Sequence, residues 1–291
     1  MKKPSNSNPL VVIIIVNWNG WSDTLSCLKC LENTSYQNFK VIVVDNASTD
    51  DSVVRIKTAY PTVSVFENTA NNGFGAGNNA GIRLAFEFGA DFMWLLNNDT
   101  LPDSQALYAM LEMAMTDLNF GAVGCVLRYM DHPERIQAWG GGQINLLLSS
   151  SRHHLGPVQP SKLHFLTAAS VLISRAALES VGSFDEGFFM YWEDVDLSFR
   201  IRQAGFKLAV AEKAQVLHRE SSSTRSNLVS RDKYFSFSSA RFLQKHVKLP
   251  TTFIFVSMIV RIFFRLIRGQ YSRALAVYQG SVKGKNAFKQ T

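Results

Sequence analysis

Short apolar runs alternate with helical patterns through the first part of the chain. Residues 10–16 form a continuous run of apolar, mostly β-branched side chains, and residues 41–44 repeat this character about 30 positions later. Residues 22–31, between the two runs, carry apolar side chains at helical spacing. A strand, a helix and a strand at this separation predict two parallel strands joined by a right-handed crossover.

The same alternation continues well beyond the first crossover. Further strands are predicted at residues 63–66, 92–96 and 122–127, and helices at residues 51–60, 76–88 and 104–115. This order predicts an α/β fold with a doubly wound, mostly parallel sheet and helices on both faces. Ligands of such sheets bind beyond the carboxyl ends of the strands, so polar residues at those positions are candidates for a site.

The pattern is less regular after the strand at 122–127. Residues 140–154 contain three consecutive glycines, a run of serines and two histidines, and they predict an irregular loop region. Order returns with a predicted strand at residues 165–173 and a predicted helix at 175–181. A helix at 193–204 and a short strand at 208–211 are predicted to follow.

A strongly apolar helix is predicted close to the end of the chain. Residues 251–267 contain an uncharged, mostly apolar run of only eight residues, whereas a membrane-spanning helix requires about 20. Arg261, Arg265 and Arg268 follow that run on one helical face, opposite apolar side chains. This pattern predicts a helix lying in the membrane interface. The alternative is a helix packed on the domain with its arginines in water.

Charge and cysteine content refine this picture. Residues 233–291 hold 11 of the 30 lysines and arginines and none of the 23 acidic residues. Such a split indicates a catalytic body, residues 1–232, followed by a basic helical appendage that meets an anionic surface. Three cysteines among 291 residues argue against a disulfide framework and favour a reducing, cytoplasmic compartment.

Two polar segments follow or precede predicted elements in the first half of the chain. Residues 41–52 read VIVVDNASTDDS and place Asp45 at a strand tip, where its carboxylate can accept the imide N–H of uracil or thymine. A helix-capping carboxylate is the alternative. Residues 71–81 read NNGFGAGNNAG, and their glycines allow the backbone to approach a phosphate or sugar. A flexible turn is the alternative there.

Two acidic segments carry the remaining candidate chemistry. Residues 94–103 read WLLNNDTLPD, so Asp99 follows a strand and can hold a divalent cation against a diphosphate, although a single carboxylate is often only part of a turn. Residues 182–202 read GSFDEGFFMYWEDVDLSFRIR, with an aromatic run just before acidic residues at a helix start. Exposed aromatic rings beside carboxylates suit a sugar ring stacked next to a general base. The helix dipole alone would explain two of the acids.

In this order, the four segments resemble those of the family 2 glycosyltransferases, particularly the rhamnosyltransferase-like branch acting on bacterial surface polysaccharides. The resemblance covers roughly residues 9–223. It implies a GT-A fold, in which the nucleotide lies over the first half of the sheet and the acceptor over the second. It also implies inverting transfer of a sugar from a nucleotide-diphosphate donor to an acceptor hydroxyl, with Mg²⁺ or Mn²⁺ as cofactor.

The resemblance also assigns roles to particular residues. Asp194 would be the catalytic base, in a pair with Glu193, and Asp99 would be the metal-binding carboxylate of the family's DxD-like motif. His218 would complete the metal site. The residues expected to bind the nucleotide are Asn17, Asp45, Asn46, Gly73 and Asn78. Those expected to bind the donor sugar or the acceptor are Asn97, Asn98, Tyr191 and Trp192.

This sequence departs from the DxD pattern, because Asn97 stands where the first carboxylate would be. The expected donor is dTDP-rhamnose, with UDP-sugars next, and the expected acceptor is a saccharide, in particular a lipid-linked one. The basic appendage is expected to hold the enzyme on the inner face of the cell membrane. A catalytically inactive nucleotide-sugar-binding scaffold is the main alternative. Nucleic acid is not an expected partner, because the apolar helix suits lipid better.

Overall fold

A computed structural model describes residues 8–219 and 227–287. The other residues of the predicted catalytic body, 1–232, and of the predicted appendage, 233–291, lie outside these ranges. The predicted alternation of strands and helices is confirmed. The strands are β1 Val11–Asn17, β2 Phe39–Asp45, β3 Ser64–Glu67, β4 Phe92–Asn97, β5 Thr100–Pro102, β6 Phe120–Tyr129, β7 Ile136–Trp139, β8 Gly141–Asn145, β9 Ser150–His153, β10 Phe165–Leu166, β11 Ser170–Ser174 and β12 Lys207–His218. The helices are α1 Trp21–Leu31, α2 Ser52–Ala59, α3 Phe74–Glu87, α4 Ala106–Thr116, α5 Arg175–Val181, α6 Glu193–Gln203, α7 Leu228–His246, α8 Pro250–Leu266 and α9 Tyr271–Ala287, with a short 3-10 turn at Pro160–Lys162.

The strands form one sheet whose two halves differ in strand direction. β3, β2, β1 and β4 lie side by side and are parallel, as the first crossover predicted. β11 then runs antiparallel to both β4 and β6, while β12 is parallel to β6. The first half of the sheet is therefore wholly parallel, and the second half combines parallel with antiparallel pairs.

Helices cover both faces of this sheet, as expected. Alternate residues of β1 point to opposite faces, so Val11, Ile13 and Ile15 pack beneath α1, α2 and α4. Val12 and Ile14 pack beneath α3, α5 and α6. Because β1 is buried on both faces, its sequence is a continuous apolar run instead of an alternating one.

Two glycines of α3 bring that helix close to the sheet. A Cβ atom on Gly77 would lie 2.9 Å from Val16 Cγ1, and one on Gly81 would lie 2.4 Å from Ile14 Cγ2. The expectation that these glycines approach a ligand is therefore wrong. Their backbone approaches β1, and the absence of a side chain allows close helix–sheet packing.

The region predicted as an irregular loop is an antiparallel ribbon made of β7, β8 and β9, with β10 added to β8. The prediction failed because the glycines permit close pairing here instead of breaking it. A Cβ atom on Gly141 would lie 1.9 Å from Phe165 O, and one on Gly142 would lie 1.9 Å from Arg152 O. The strand predicted at 165–173 is likewise divided into β10 and β11, and the short strand predicted at 208–211 extends over all of β12.

Helices α7, α8 and α9 pack together as the C-terminal appendage. α7 runs through the expected boundary between residues 232 and 233 without interruption. Gly280 and Gly284 of α9 lie against α7, because a Cβ atom at either position would be 2.2 Å from a carbonyl oxygen of that helix. The appendage is therefore closely packed and not a loose tail.

The arginines of α8 point toward α7. Arg265 donates to both carboxylate oxygens of Asp232, at 2.9 and 3.0 Å, and Arg273 of α9 donates to the same carboxylate at 2.7 Å. Arg261 lies over the ring of Phe235, 4.7 Å from its centroid. The expectation that the arginine face is the outer face of α8 is therefore wrong for Arg261 and Arg265. Asp232 is buried, and a buried carboxylate requires cationic partners.

As a result, apolar side chains of α8 and α9 face outward and form what we call the outer stripe. Its exposed members are Phe255, Ile259, Phe263, Leu266 and Ile267 at α8 and Tyr271, Leu275, Tyr278 and Val282 on α9. Spacings of three and four residues place each set on one side of its helix. Over residues 8–219 and 227–287, no helix combines the length and the apolar character needed to cross a bilayer.

Candidate active site

The strand ends of the parallel half carry two residues expected to bind the nucleotide. Asn17 ends β1 and Asp45 ends β2, and the two are paired across the strands. Asn17 Nδ2 donates to Asp45 Oδ1 at 2.8 Å, and Ser48 Oγ and N donate to the two carboxylate oxygens at 2.6 and 2.8 Å. These bonds fix the carboxylate at the sheet edge. Asp45 is not the cap of α2, because that helix begins only at Ser52.

Hydrogen bonds at Asn46 and Gly73 connect this edge of the sheet to the segment that precedes Glu193 and Asp194. Asn46 Nδ2 donates to Gly73 O at 3.0 Å, and Phe74 N donates to Phe189 O at 3.1 Å. Gly73 has a φ of +96°, and a Cβ atom there would lie 2.2 Å from Phe189 O, so glycine is required. Asn78 instead lies inside α3, where its buried side chain donates to Phe74 O at 3.0 Å.

Asn98 is connected to the nucleotide side through a chain of hydrogen bonds. Asn98 Nδ2 donates to Thr24 Oγ1 at 3.2 Å, and Thr24 Oγ1 donates to Asn17 Oδ1 at 2.8 Å. Asn17 in turn donates to Asp45. Because each group restrains the next, the chain holds the ends of β1, β2 and β4 in one arrangement.

Asp99 and His218 face each other where the second half of the sheet begins. Asp99 follows β4, and His218 ends β12, which pairs with β5 so that His218 lies opposite Thr100. His218 Nε2 lies 3.3 Å from Asp99 Oδ1 and 3.4 Å from Asn97 Nδ2. The two residues predicted to bind a metal are therefore brought together by strands that are distant in the chain.

This donor set fits a divalent cation. A carboxylate oxygen and an imidazole nitrogen are both metal ligands, and the nearby Asn97 Oδ1 is buried without a hydrogen-bond partner among the described residues. Within the same residues, no group of three or more His, Cys, Asp or Glu side chains could hold a metal ion. A cation at this position would therefore depend on a bound diphosphate for further ligands.

The acidic pair begins α6, with Glu193 buried and Asp194 partly buried. Asp194 Oδ1 accepts the Val195 N–H at 2.8 Å, and Oδ2 accepts the Ala168 N–H at 3.3 Å. Burial raises the pKa of Asp194, although the backbone bonds oppose the increase. Burial and the charge of Asp194 both raise the pKa of Glu193 further, so Asp194 is the first of the two to ionise as pH rises. An ionised carboxylate with a raised pKa suits a general base at neutral pH.

A strained turn precedes the acidic pair. Tyr191 and Trp192 adopt left-handed backbone conformations, with φ of +67° and +68°, which aromatic residues rarely do. The Trp192 ring lies 5.0 Å from the Phe242 ring of α7, and Ser238 Oγ of the same helix donates to Met190 O at 2.8 Å. The predicted exposure is wrong for Trp192, which is only 2% exposed because α7 covers it.

A cleft of about 340 Å³ lies between the predicted metal site and the acidic pair. Its walls include His218 and Asn97 as well as Glu193 and Asp194, so the predicted metal site and the predicted base adjoin the same cavity. Asp99 lies behind the wall of the cleft, where its carboxylate contacts His218. The cleft is also lined by Tyr191 and Trp192, whereas the predicted residues outside its walls are Asn17, Asp45, Asn46, Gly73, Asn78, Asn98 and Asp99.

Several wall residues were not predicted. They include Gln137, Ser151 and His153 from the ribbon, and Arg231 and Phe235 from α7. The ribbon lies where consecutive glycines indicated a loop. α7 lies largely beyond the boundary expected for the catalytic body, so its residues gave no local signal of a place in the site.

Comparison with known proteins identifies related sequences. The family model described as "Glycosyl transferase family 2" matches residues 12–182. The chain is 29% identical over 210 residues to an N-acetylglucosaminyl-diphospho-decaprenol L-rhamnosyltransferase of Mycobacterium tuberculosis, covering 63% of this chain and 67% of that protein. It is 26% identical over 203 residues to the O-antigen chain rhamnosyltransferase WbaN of Salmonella anatum, covering 69% of this chain and 61% of that protein.

Solved structures share the architecture. The mannosyltransferase PcManGT from Pyrobaculum calidifontis, in complex with GDP-Man and Mn²⁺, matches with a TM-score of 0.62 at 16% identity, over 95% of this chain and 87% of that chain. GalNAc-T7 with UDP, GalNAc and Mn²⁺ matches with a TM-score of 0.67 at 14% identity, over 98% of this chain and 55% of that chain. At these identities the likeness concerns the fold, and it confirms the expected GT-A architecture.

Proposed function

Because the chain belongs to glycosyl transferase family 2, we propose that this glycosyltransferase is inverting and metal-dependent and transfers L-rhamnose from dTDP-rhamnose to a lipid-linked saccharide. Two similar proteins are named as rhamnosyltransferases, and one of them is named for N-acetylglucosaminyl-diphospho-decaprenol. UDP-sugars are the next donors to consider. The proposed reaction belongs to the synthesis of a cell-surface polysaccharide, at the cytoplasmic face of the membrane.

One observation carries this proposal: Asp194 and His218 line the same cleft. An inverting transfer requires a base on one side of the sugar C1 atom and stabilisation of the departing diphosphate on the other. The cleft has a carboxylate of raised pKa on one wall and His218, which contacts Asp99, on another. Both requirements can therefore be met around one bound sugar.

Asp194 is the proposed base. It accepts the proton of the acceptor hydroxyl while that oxygen attacks C1, the bond from C1 to the diphosphate breaks, and the configuration at C1 inverts. The N–H groups of Ala168 and Val195 hold the carboxylate in position. Glu193 Oε2 and Trp192 Nε1 are buried without partners in the part of the chain that the structure describes, so they suit hydrogen bonds to acceptor hydroxyls.

Asp99 and His218 are the proposed ligands of the cation. When bound, a divalent cation stabilises the negative charge that develops on the departing diphosphate. Both solved structures named above contain Mn²⁺. A carboxylate paired with an imidazole also suits Mn²⁺ better than Mg²⁺, which prefers oxygen ligands. Mn²⁺ is therefore the proposed cofactor, with Mg²⁺ as the alternative.

A panel of nucleotide sugars tests the proposed donor. Thermal stabilisation by dTDP-rhamnose should exceed that by UDP-sugars and GDP-mannose, and adding Mn²⁺ should increase it. Transfer of radiolabelled rhamnose to a lipid-linked N-acetylglucosamine acceptor then tests the reaction, and NMR of the product reports the configuration at C1. Retention of configuration would contradict the proposed mechanism, and a preference for GDP-mannose would contradict the proposed donor.

Asp45→Ala should weaken donor binding. In the proposed complex the carboxylate accepts the imide N–H of the pyrimidine, and a hydrogen bond to a charged group contributes about 1.5–3 kcal/mol. The expected increase in the Kd of dTDP, measured by calorimetry, is about 10- to 100-fold. Asp50→Ala is the matched control, because Asp50 is exposed in the same loop. An unchanged Kd in the Asp45 variant would exclude the proposed contact.

The outer stripe is the proposed membrane contact. Lys248, Arg268 and Lys283 are exposed on the same appendage, and a combination of apolar and basic side chains suits an anionic bilayer. Arg231 and Phe235 of α7 line the cleft, and α7 packs directly against α8 and α9. A lipid-linked acceptor would therefore reach the cleft from the side that contacts the bilayer.

Phe255→Ser combined with Phe263→Ser should reduce binding to vesicles of phosphatidylcholine and phosphatidylglycerol at least about tenfold, because burying each ring contributes up to about 1.5–3 kcal/mol. Both rings are more than half exposed, so the fold should be unaffected. Val54→Ser, at a still more exposed apolar position on α2, is the control. Unchanged vesicle binding would contradict the proposal. Loss of a dimer in the double variant would assign the stripe to a protein interface instead.

A further inference from the structure

Gln137 occupies the extra position of a β-bulge beside the cleft. Leu127 of β6 pairs with Ala138 of β7, but the next residue of β6 pairs with Ile136, two positions back on β7. Gln137 therefore has no ladder partner on the described strand β6. A bulge of this kind redirects a side chain from its regular orientation on the sheet.

The redirected side chain meets the predicted metal ligand. Gln137 Oε1 lies 2.7 Å from His218 Nδ1. A carboxamide oxygen only accepts, so Nδ1 carries the proton and Nε2 of the neutral ring carries a lone pair. That nitrogen faces Asp99 Oδ1 at 3.3 Å and Asn97 Nδ2 at 3.4 Å.

We infer that Gln137 is a positioning residue of the metal site, which fixes His218 in the tautomer whose Nε2 can bind a divalent cation beside Asp99. The inference rests on the proposed metal dependence and adds a residue that the family resemblance did not include. The chain places Gln137 in contact with His218 Nδ1, on the side of the ring away from Asp99. It would therefore act on the cation through His218 and would not bind the cation itself.

The tautomer matters because the two proposed ligands, Asp99 and His218, can also form a hydrogen bond with each other instead of binding a cation. With no acceptor at Nδ1, the His218 ring gains by moving its proton to Nε2 and donating it to Asp99. The nitrogen lone pair and one carboxylate oxygen would then both be occupied. The hydrogen bond from Nδ1 to Gln137 favours the opposite tautomer, and loss of such a bond behind a ligand histidine typically reduces metal affinity by about 10- to 100-fold.

Gln137→Met tests the inference, because it removes the acceptor and keeps the length of the side chain. In the presence of dTDP, the Kd of Mn²⁺ should rise at least about tenfold, as measured by the electron paramagnetic resonance signal of free Mn²⁺. Gln137→Glu keeps an acceptor at the same position and should bind Mn²⁺ as the wild-type chain does. Gln143→Met, at an exposed position on the neighbouring strand β8, should also leave the affinity unchanged.

The outcomes separate this inference from the proposed function. Wild-type affinity in Gln137→Met would overturn the positioning role and leave metal dependence intact. Equal weakening in Gln137→Met and Gln137→Glu would also overturn it, because a purely structural defect would not be rescued by glutamate. If the wild-type chain binds neither Mn²⁺ nor Mg²⁺ with dTDP or UDP present, the proposed metal dependence fails and the inference fails with it.

Discussion

Asp194→Asn should lower the rate of sugar transfer by about 10²- to 10⁴-fold, the usual contribution of a positioned base, while leaving donor affinity unchanged. The amide cannot accept the acceptor proton, but it keeps the shape of the carboxylate. Asp194 also lies at the start of α6, whereas the proposed contact with the base of the nucleotide is Asp45 at the end of β2. Turnover with radiolabelled dTDP-rhamnose and the calorimetric Kd of dTDP give the two quantities.

The control for this variant is Asp117→Asn. Asp117 lies just before β6, at the end of that strand far from the cleft, and its ion pair is with Lys207. Transfer should be unaffected there. An equal loss of nucleotide binding and turnover in Asp194→Asn would contradict the proposed base, because it would mean that Asp194 supports the donor.

The pH dependence of the wild-type rate checks the same residue. Burial raises the pKa of Asp194, so the ionised base is lost as pH falls through a value above the ordinary aspartate pKa of about 3.9. The acid limb of kcat/KM should therefore lie above about pH 4. This limb should disappear in Asp194→Asn, whose residual rate has no base to protonate.

Asp196→Ala should lower the free energy of unfolding by about 3–5 kcal/mol, because it removes one partner from a buried ionic cluster. Asp196 is fully buried in α6 and accepts from Arg200 at 2.8 Å and from His246 of α7 at 2.7 Å, while Lys245 lies 2.9 Å away. Burial opposes its ionisation, but the His246 bond and the charges of Arg200 and Lys245 outweigh this effect and lower the pKa of Asp196 to about 2. Urea unfolding followed by circular dichroism measures the loss.

Two comparisons make this second expectation specific. Glu67→Ala removes an exposed ion pair with Lys57 and should change the free energy of unfolding by less than about 1 kcal/mol.

The pKa of Asp196 is lower in the folded chain than in the unfolded one, so its contribution to the free energy of unfolding is complete above about pH 4 and is lost as pH falls through about 2. The difference between wild type and Asp196→Ala should shrink over that range. Equal stability at neutral pH would mean that apolar packing alone joins α6 to α7.

The parallel half of the fold is predictable because its central strands, β1 and β4, are buried on both faces. Residues 11–16 of β1 and 41–44 of β2 are continuous apolar runs, and the polar residues that end these strands are read directly from the sequence. Asp45 and Asp99 were found in this way. The residues themselves allowed a pyrimidine contact at Asp45 and a cation at Asp99, but a carboxylate at a strand end suits many ligands. The resemblance to a family was needed to favour these proposed roles over a helix cap and a turn.

The second half of the site depends on contacts that no local pattern contains. Trp192 is covered by Phe242, which follows it by about 50 positions. Gln137 contacts His218 because of a bulge in the ribbon, and the glycines of that ribbon had led to the prediction of a loop. The periodicity of α8 predicted the helix correctly, but the face expected to lie outward was wrong for Arg261 and Arg265. A single buried acid on another helix, Asp232, determines that orientation by drawing Arg265 away from solvent.

The path of α7 limits how the enzyme can be shortened for use in solution. A polypeptide ending at residue 232 would lack the outer stripe, but it would also expose the indole of Trp192 and leave the cleft open on one side. The natural place to stop is the junction after His246, which keeps the whole of α7. A chain that ends there lacks Arg265 and Arg273, the partners of Asp232 in its ion pairs. Because a carboxylate without its cationic partners is destabilising, a neutral residue at position 232 should accompany the deletion.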